Sequence, residues 1–309
     1  MMEKIKLIID TDIGTDIDDA FALQFVLNSP EIELLGITTV YKNVYQRAKI
    51  AKHMLNLNHK DVGVYCGKNL ILKESEEIYD TKDVASKELF QIEHYLDEME
   101  TAKVEKEHAV DFILRTVAEN PYEITLLAIG NLTNLAAAFK KDPETFKKIK
   151  KIHIMGGSLF DERCEWNFYC DADAAATVVQ CGVPMQIYGI DVAQICVLTP
   201  NDLDYYWNLK TDKNFVLTKM LKKWHNKHKR EPIMYDPLAA ACLVREFCEY
   251  IEVPLMVETE TIEESRFKRR GLLRVICSDS ASENIPKVKI GVGVKIEEFL
   301  AFLRSRIYD

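Results

Sequence analysis

Five aspartates lie in one short segment near the start of the chain, and their oxygen atoms are strong candidates for chemistry. The segment reads Asp-Thr-Asp-Ile-Gly-Thr-Asp-Ile-Asp-Asp-Ala from residue 10 to residue 20, and no basic residue lies within it. Its acids are Asp10, Asp12, Asp16, Asp18 and Asp19. A lone aspartate here would most simply cap a helix. Five crowded carboxylates repel one another and favour a hard, oxygen-seeking ion such as calcium or magnesium, so the sequence predicts a divalent-metal site.

The acidic segment lies between a predicted strand and a predicted helix. Residues 5–9 form an apolar run typical of a buried strand, and residues 18–27 follow the helical period. Side chains alternate along a strand, so Asp10 and Asp12 are expected on the same side. Gly14 permits a sharp turn between the two elements. Open α/β sheets bind ligands at this position, outside the carboxyl ends of their strands.

The same alternation of strand and helix continues along the chain and predicts an α/β fold. Further strands are expected at residues 34–40, 62–66, 124–129, 152–155 and 185–190, and further helices at 44–55, 109–118, 132–139 and 172–179. After residue 190 the pattern predicts helices starting near 199, over 213–230, over 235–244 and from 297, with strands over 251–257, 272–277 and 288–294. We expect a single large domain over residues 1–309, with an open, mostly parallel but mixed central sheet flanked by helices.

Composition excludes several classes of partner and compartment. The 309 residues carry a formal net charge of −9, which disfavours nucleic acid and anionic membranes. No apolar run approaches the length of a membrane span, and the first residues lack the apolar core of a signal peptide. The eight cysteines form no Cys-x-x-Cys pair, which is typical of reduced thiols in a cytoplasmic protein.

Five further motifs follow the acidic segment in order. They are Gly-Ile-Thr-Thr-Val at 36–40 with Asn43, Ala-Ile-Gly-Asn-Leu-Thr-Asn at 128–134, Met-Gly-Gly at 155–157 with Glu-Trp-Asn at 165–167, Gly-Ile-Asp-Val at 189–192, and Tyr-Asp-Pro-Leu-Ala at 235–239. Together with the acidic turn, this set resembles the inosine–uridine-preferring nucleoside hydrolase family over essentially the whole chain. The resemblance implies calcium-dependent hydrolysis of the N-glycosidic bond of ribonucleosides to free base and ribose, in nucleoside salvage. It also implies a homodimer or homotetramer.

The resemblance assigns roles residue by residue. It implies a calcium ion (Ca2+) held by Asp12, Asp19, Asp236 and the carbonyl group of Thr133, with Asp12 also accepting the proton of a metal-bound water. It implies ribose binding by Asp18, Asn43, Glu165 and Asn167. Each of these positions also has a structural reading as a helix cap, a turn former or a surface acid.

Three departures from the family pattern stand out. Asp16-Ile17 is an insertion in the acidic turn, which makes Asp16, like Asp10, an additional candidate ligand. No asparagine between residues 157 and 165 matches the one that many members use on the 5′ side of the ribose. Tyr235 stands where many members have a histidine that protonates the leaving base, so His225 and His228 in the preceding lysine-rich helix are alternative acids, although a solvated helix face accounts for both.

Two other functions remain open from the sequence. A haloacid-dehalogenase-like, magnesium-dependent phosphatase also begins with a strand that ends in Asp-x-Asp, and its second acidic site would have to be the segment at 277–280. A ribosyl-ligand-binding relative with weak or no turnover would explain the missing acid and the missing 5′-side asparagine. Trp166 and Trp224 could stack on a base, although core packing is the usual role of tryptophan.

Overall fold

The computed structural model describes residues 3–72, 101–260, 262–264, 267–276 and 285–308. The strands are β1 (Ile5–Thr11), β2 (Ile32–Thr39), β3 (Gly63–Cys66), β4 (Ile124–Ala128), β5 (Lys151–Met155), β6 (Met185–Tyr188), β7 (Cys248–Val257), β8 (Ile262–Glu264), β9 (Phe267–Arg269), β10 (Leu273–Val275) and β11 (Lys287–Val294). The helices are α1 (Asp18–Leu27), α2 (Val44–Leu57), α3 (Ala109–Glu119), α4 (Thr133–Lys141), α5 (Pro143–Phe146), α6 (Trp166–Cys170), α7 (Ala172–Val179), α8 (Ile190–Ala193), α9 (Pro200–Trp207), α10 (Asp212–His228), α11 (Tyr235–Ala241) and α12 (Ile296–Arg306).

Nine of these strands form one mixed, mostly parallel sheet. Their order is β10-β7-β11-β6-β5-β4-β1-β2-β3, and β8 and β9 form a separate antiparallel pair. The pairs from β11 through β6, β5, β4, β1 and β2 to β3 are all parallel, whereas β7 runs antiparallel to β11 and to β10. The carboxyl ends of the parallel strands therefore share one edge of the sheet, where the acidic segment follows β1.

Both faces of the sheet are covered by apolar layers. In β1, Leu7 and Ile9 belong to one buried cluster, while Ile8 belongs to the other. In β4, Leu127 joins the first cluster and Leu126 the second. This alternation is the signature of strands buried on both faces, as in a parallel sheet between helical layers.

The expected α/β fold is confirmed, and the differences lie at the ends of elements and in five short elements that the pattern did not predict: α5, α6, α8, β8 and β9. All six apolar runs up to residue 190 contribute strands, and the helices at 18–27 and 172–179 have the expected bounds. The strand expected over 185–190 ends at Tyr188, because the backbone N–H of Ile190 donates to the Gly157 carbonyl and begins α8. The helix expected over 235–244 ends at Ala241. Residue 277, the end of another expected strand, lies outside the described residues.

Within the described residues, no helix is both long enough and apolar enough to cross a bilayer. The seven cysteines described there carry free thiols.

Candidate active site

A cleft of about 410 Å³ opens at the carboxyl edge of the sheet. Its lining combines carboxyl groups, two arginines and a few aromatic and apolar side chains: Asp12, Thr15, Asp16, Asp18, Asp19, Ile129, Met155, Arg163, Cys164, Glu165, Trp166, Asn167, Ile190, Gln194, Arg230, Tyr235 and Asp236. The sequence motifs that follow β1, β4, β5 and β6 therefore meet in one place. Their convergence fits the rule that parallel strands present ligand-binding residues from one edge.

A buried group of three carboxylates belongs to this cleft. One oxygen of each of Asp18, Asp19 and Asp236 lies within 4.8 Å of the others, and all three residues are buried. The backbone N–H of Asp236 donates to Asp18 at 3.3 Å, which joins the start of α11 to the start of α1. The Thr11 hydroxyl donates to Asp19 and orients it. Neighbouring hard oxygen atoms in a sheltered site are what calcium or magnesium requires, so these residues fit a divalent ion.

The electrostatics of this group point the same way. Burial raises the pKa of Asp18, Asp19 and Asp236 well above the usual range, and repulsion from neighbouring aspartates raises it further. A bound cation would offset the cost of keeping these buried carboxylates ionised, because it favours the ionised form of every ligand.

One positive side chain reaches the acids from another element. Arg47 of α2 is buried and donates to the carbonyl of Ile13 at 3.1 Å. Its charge opposes the effect of burial on the pKa of Asp12 and Asp19. The sequence showed no basic residue within the acidic segment. In the structure an arginine about 30 residues further along the chain offsets part of the negative charge of that segment. A single guanidinium group cannot balance so many carboxylates.

Asp10 and Asp12 have different surroundings. Asp12 lines the cleft, and burial raises its pKa. Asp10 lies outside the cleft lining and is fully buried, where it accepts from the Thr38 hydroxyl at 2.6 Å and from the Asn134 amide at 2.7 Å. Burial raises the pKa of Asp10 to about 7, against the effect of both hydrogen bonds. Asp10 therefore joins β1 to β2 and α4, and Asp12 is the acid that faces a ligand.

Asp16, the acid of the two-residue insertion, also lines the cleft and is only partly buried. Its carboxylate accepts from the backbone N–H of Ile17 at 2.6 Å.

Thr133 and Asn43 lie at the starts of helices and are not part of the cleft lining. The Thr133 hydroxyl donates to Asp171 at 2.6 Å, and the same carboxylate accepts from the backbone N–H groups of Leu72 and Ala174. Asp171 thus fixes the start of α4, a role that no sequence motif indicated. Asn43 adopts a left-handed backbone conformation, with φ of 50°.

Glu165 and Asn167 reach the cleft from the start of α6. The Glu165 carboxylate caps this helix by accepting from the N–H groups of Asn167 at 2.8 Å and Phe168 at 3.0 Å, and it also accepts from Gly157 at 2.9 Å. Burial raises the pKa of Glu165 to about 7 although these hydrogen bonds oppose the shift. Glu165 is therefore a buried helix cap that lines the cleft, and not the surface acid of the structural alternative.

Asn167 is oriented by backbone carbonyls. Its amide nitrogen donates to the carbonyl groups of Ile129 at 3.1 Å and Met155 at 3.2 Å. Its side-chain oxygen is therefore the atom that can accept a hydrogen bond from a ligand.

The three candidate acids for a leaving base are separated in the structure. Tyr235 lines the cleft, and burial raises the pKa of its phenol above the usual value. His225 packs edge-on against Trp207, with ring centroids 5.1 Å apart, and lies outside the cleft lining. His228 is exposed and lies 4.6 Å from the ring of Trp224, also outside the lining. Of these three residues only Tyr235 lines the cleft, although His228 lies close enough to Asp16 for that carboxylate to oppose the lowering of the histidine pKa by burial.

The mouth of the cleft holds two arginines and a glutamine that sequence reasoning did not assign to the site, and Trp166, for which core packing was the usual role. Trp166, Arg163 and Arg230 are all exposed and line the cleft, together with Gln194. Trp224, the other tryptophan considered, is 1% exposed and belongs to the core. The only sequence signal was the type of these residues, because nothing in the pattern placed either arginine at an edge of the sheet.

Comparison with known proteins identifies close relatives. The pattern of the family described as inosine-uridine preferring nucleoside hydrolase matches residues 7–301. Uridine nucleosidase 1 of Arabidopsis thaliana is 33% identical over 83% of this chain and 79% of its own length. A plant nucleoside hydrolase, the PpNRh1 enzyme, superposes with a TM-score of 0.81 at 27% identity, covering 97% of this chain and 98% of that one. The purine-preferring ribonucleoside hydrolase from Gardnerella vaginalis gives a TM-score of 0.78 at 27% identity, covering 97% of both chains.

Proposed function

Because this chain belongs to the inosine-uridine preferring nucleoside hydrolase family and is a ribonucleoside hydrolase, we propose that it cleaves ribonucleosides with calcium bound to its buried aspartates. The products are the free base and ribose. The observation that carries this proposal is the group formed by Asp18, Asp19 and Asp236, beside Asp12 and in the same cleft as Glu165 and Asn167. A phosphatase of the haloacid-dehalogenase type leaves Glu165 and Asn167 without a role.

The metal site would comprise the buried trio. We propose Asp19 and Asp236 as ligands, with Asp12 and the Thr133 carbonyl as further ligands implied by the family. Asp16 is an additional candidate ligand. Asp18 has its carboxylate in the same group, so it can serve the metal, a ribose hydroxyl or both. When bound, calcium would orient a water molecule and make it more acidic.

Proton transfer from water to Asp12 would create the nucleophile. Burial raises the pKa of Asp12, so this carboxylate is a stronger base than an aspartate in solvent. The oxygen that attacks C1′ of the ribose would then lie on the side of the acidic group.

The cleft would also stabilise the positive charge that develops on the ribose. Cleavage of an N-glycosidic bond passes through an oxocarbenium-like sugar, and the negative carboxylates that line this cleft stabilise that positive charge at short range. Glu165 and the side-chain oxygen of Asn167 would accept ribose hydroxyls, because their remaining contacts hold them in place. Buried acceptors of this kind reject a sugar that lacks the hydroxyl, so 2′-deoxynucleosides should be poor substrates.

Uridine is the first substrate to test, because a uridine nucleosidase is 33% identical to this chain. Release of reducing sugar from uridine should stop after treatment with a chelator and return with calcium. Tight uridine binding without sugar release would instead favour a binding protein with little turnover. We also propose that the protein is cytoplasmic, in keeping with the free thiols of the described residues. The homodimer or homotetramer implied by the family resemblance is a further proposal.

Matched variants sharpen this test. Asp19→Asn should abolish the calcium response, whereas Asp111→Asn should leave it unchanged, since Asp111 pairs with Lys141 on the surface. Calcium-dependent sugar release that survives in Asp19→Asn would contradict the assignment of the metal site.

A further inference from the structure

Arg47 of α2 bridges two loops at the carboxyl edge of the sheet. Its Nε atom donates to the carbonyl groups of Tyr41 at 2.8 Å and Lys42 at 3.0 Å, in the loop that follows β2. Its Nη1 atom donates to the carbonyl of Ile13 at 3.1 Å, in the acidic segment that follows β1. Arg47 is only 3% exposed, so solvent competes little for these hydrogen bonds.

The loop after β2 contains a turn with an unusual backbone. Tyr41, Lys42 and Asn43 have φ values of 64°, 45° and 50°, so three successive residues other than glycine are left-handed. This conformation brings the β-carbon of an L-residue close to the carbonyl oxygen that follows, and it is unfavourable for tyrosine and lysine. The start of α2 does not require it, because the residue before a helix ordinarily has an extended backbone. The left-handed turn at 41–43 is therefore kept in place by other contacts.

Two sets of hydrogen bonds hold the left-handed turn. The backbone N–H groups of Tyr41 and Lys42 donate to the carbonyl groups of Lys68 and Asn69, both at 2.9 Å. The carbonyl groups of Tyr41 and Lys42 accept from Arg47. A planar guanidinium group has its donors in fixed relative directions. Because Nε is bound by the turn, the direction of Nη1 toward the acidic segment is also set.

The acidic segment has further supports of its own. The N–H of Ile13 donates to the Thr11 hydroxyl at 3.0 Å, and that hydroxyl donates to Asp19. Asp18 accepts the backbone N–H of Asp236 at 3.3 Å. Loss of the arginine should therefore release the strained turn, whereas the acidic segment should stay in place.

Another side chain in the structure orders backbone in a related way. The Asp191 carboxylate accepts the N–H groups of residues 159, 160 and 161 at 2.8 to 3.0 Å, all within one loop. The three acceptors of Arg47 instead belong to two loops, which α1 and β2 separate along the chain. Asp191 therefore fixes the shape of one loop, whereas Arg47 fixes the position of one loop relative to another.

We propose that Arg47 is a positioning residue that acts through Asn43, because it holds the left-handed turn against the acidic segment that carries Asp12. The inference rests on the proposed function, with Asp12 accepting the proton of water and with the ribose-binding role that the family resemblance implies for Asn43. The bridge then sets where the sugar lies relative to the Asp12 carboxylate. A lysine would keep the positive charge of Arg47 but lose the planar fork, so it would not hold both loops.

A double-mutant cycle tests whether Arg47 acts through Asn43. Arg47→Lys should lower kcat/KM for uridine by about 10- to 100-fold, because a displacement of about 1 Å can have an effect of that size. In an Asn43→Ala background the same substitution should lower kcat/KM by less than about threefold, since the group that it positions is already gone. A substitution that merely weakened the whole fold would give equal losses in both backgrounds.

Two measurements without substrate test which loop moves. Calorimetry should show that Arg47→Lys changes the Kd of calcium by less than about threefold, because the positive charge and the acidic segment are retained. Hydrogen exchange followed by NMR should show the N–H groups of Tyr41 and Lys42 exchanging at least about tenfold faster in Arg47→Lys, while the N–H of Ile13 changes by less than about threefold.

Arg306→Lys is the matched control. Arg306 pairs with Glu31 through two hydrogen bonds, at 2.6 and 3.0 Å, and lies outside the cleft lining. Its replacement should leave kcat/KM, the Kd of calcium and the three exchange rates unchanged.

The parent protein decides the inference if Arg47→Lys does not fold. The Nε–H of Arg47 and the backbone N–H groups of Tyr41 and Lys42 belong to one hydrogen-bonded unit, so they should become exposed in one opening reaction. Their protection factors in the parent should then agree within about tenfold, and a larger difference would overturn the inference.

The outcomes separate the inference from the proposed function. Equal losses in both backgrounds, or no loss in Arg47→Lys, would overturn the inference. Calcium binding weakened by more than about threefold, or exchange at Ile13 that accelerates as much as at Tyr41, would also overturn it, since the acidic segment would then have moved. If the parent releases no ribose from uridine, the proposed function fails. The calcium and exchange measurements then still decide whether Arg47 holds the turn.

Discussion

Replacing Asp236 by asparagine should stabilise the metal-free protein. Two unit charges at the 4.8 Å limit within the buried trio repel by about 3.5 kcal/mol at an effective dielectric constant of about 20. Asp236 faces two such charges, on Asp18 and Asp19. Uptake of a proton at pH 7 limits the cost to about 4 kcal/mol, because protonating a carboxyl group about three pH units above its ordinary pKa costs that much. We therefore expect Asp236→Asn to raise the free energy of unfolding by about 1 to 4 kcal/mol without metal.

Calcium should reverse the order of the two proteins. An ion that binds only the folded state stabilises it by about 2.7 kcal/mol at a concentration one hundred times its Kd. Asp236→Asn removes a ligand, so its gain from calcium should be much smaller. Urea unfolding of both proteins, with chelator and with calcium, measures the four free energies.

The control for this experiment is Asp111→Asn. Asp111 pairs with Lys141 where both side chains are about half exposed, so its replacement should change stability by less than about 1 kcal/mol in either condition. The reasoning is refuted if Asp236→Asn destabilises the chelated protein. It is also refuted if calcium stabilises Asp236→Asn as much as the parent.

Three further perturbations follow from the site and the core. Asp12→Asn should lower kcat by at least about 10³-fold while leaving the fold intact, and turnover close to the parent rate would exclude Asp12 as the base. Glu165→Gln leaves one side-chain oxygen as acceptor for three backbone donors. Urea unfolding should therefore show a free energy of unfolding lower by about 1 to 3 kcal/mol, and uridine kinetics should show a higher KM. Unchanged values would contradict the capping role. Burial and then Lys151 lower the pKa of His153 to about 3, so stability present above pH 6.5 is lost as the pH falls toward 3, by about 2 kcal/mol at pH 5. His153→Phe should be less acid-sensitive by that amount in urea unfolding at pH 7 and pH 5, and equal sensitivity would contradict it.

The sequence predicted those parts of the fold that follow from local sequence signals. The helix Asp18–Leu27 was predicted with its observed bounds, because its acidic first turn and continuous apolar content are local signals. The end of β6 was not predicted, because Ile190 leaves the strand only when its N–H meets the Gly157 carbonyl of another loop. Interactions between distant segments set such boundaries.

The site was predictable to a similar extent. The meeting of Asp18, Asp19, Glu165, Asn167 and Asp236 in one cleft follows from their places at the carboxyl edge of a parallel sheet. The sequence motifs could not indicate which of the two tryptophans is exposed, or that an arginine of α2 lies near the aspartates. Such features depend on how helices pack and on how loops turn back, which residue spacing does not encode.

The contact between Asp191 and residues 159–161 has a consequence for protein engineering. One carboxylate, at the start of α8, holds three successive N–H groups of the loop that carries Arg163. These contacts use backbone N–H groups and do not depend on the side chains of the loop. The loop can therefore be exchanged for a different sequence of equal length while Asp191 still holds it in place. Such grafts would change the exposed side chains of the cleft lining while leaving its buried carboxylates unaltered.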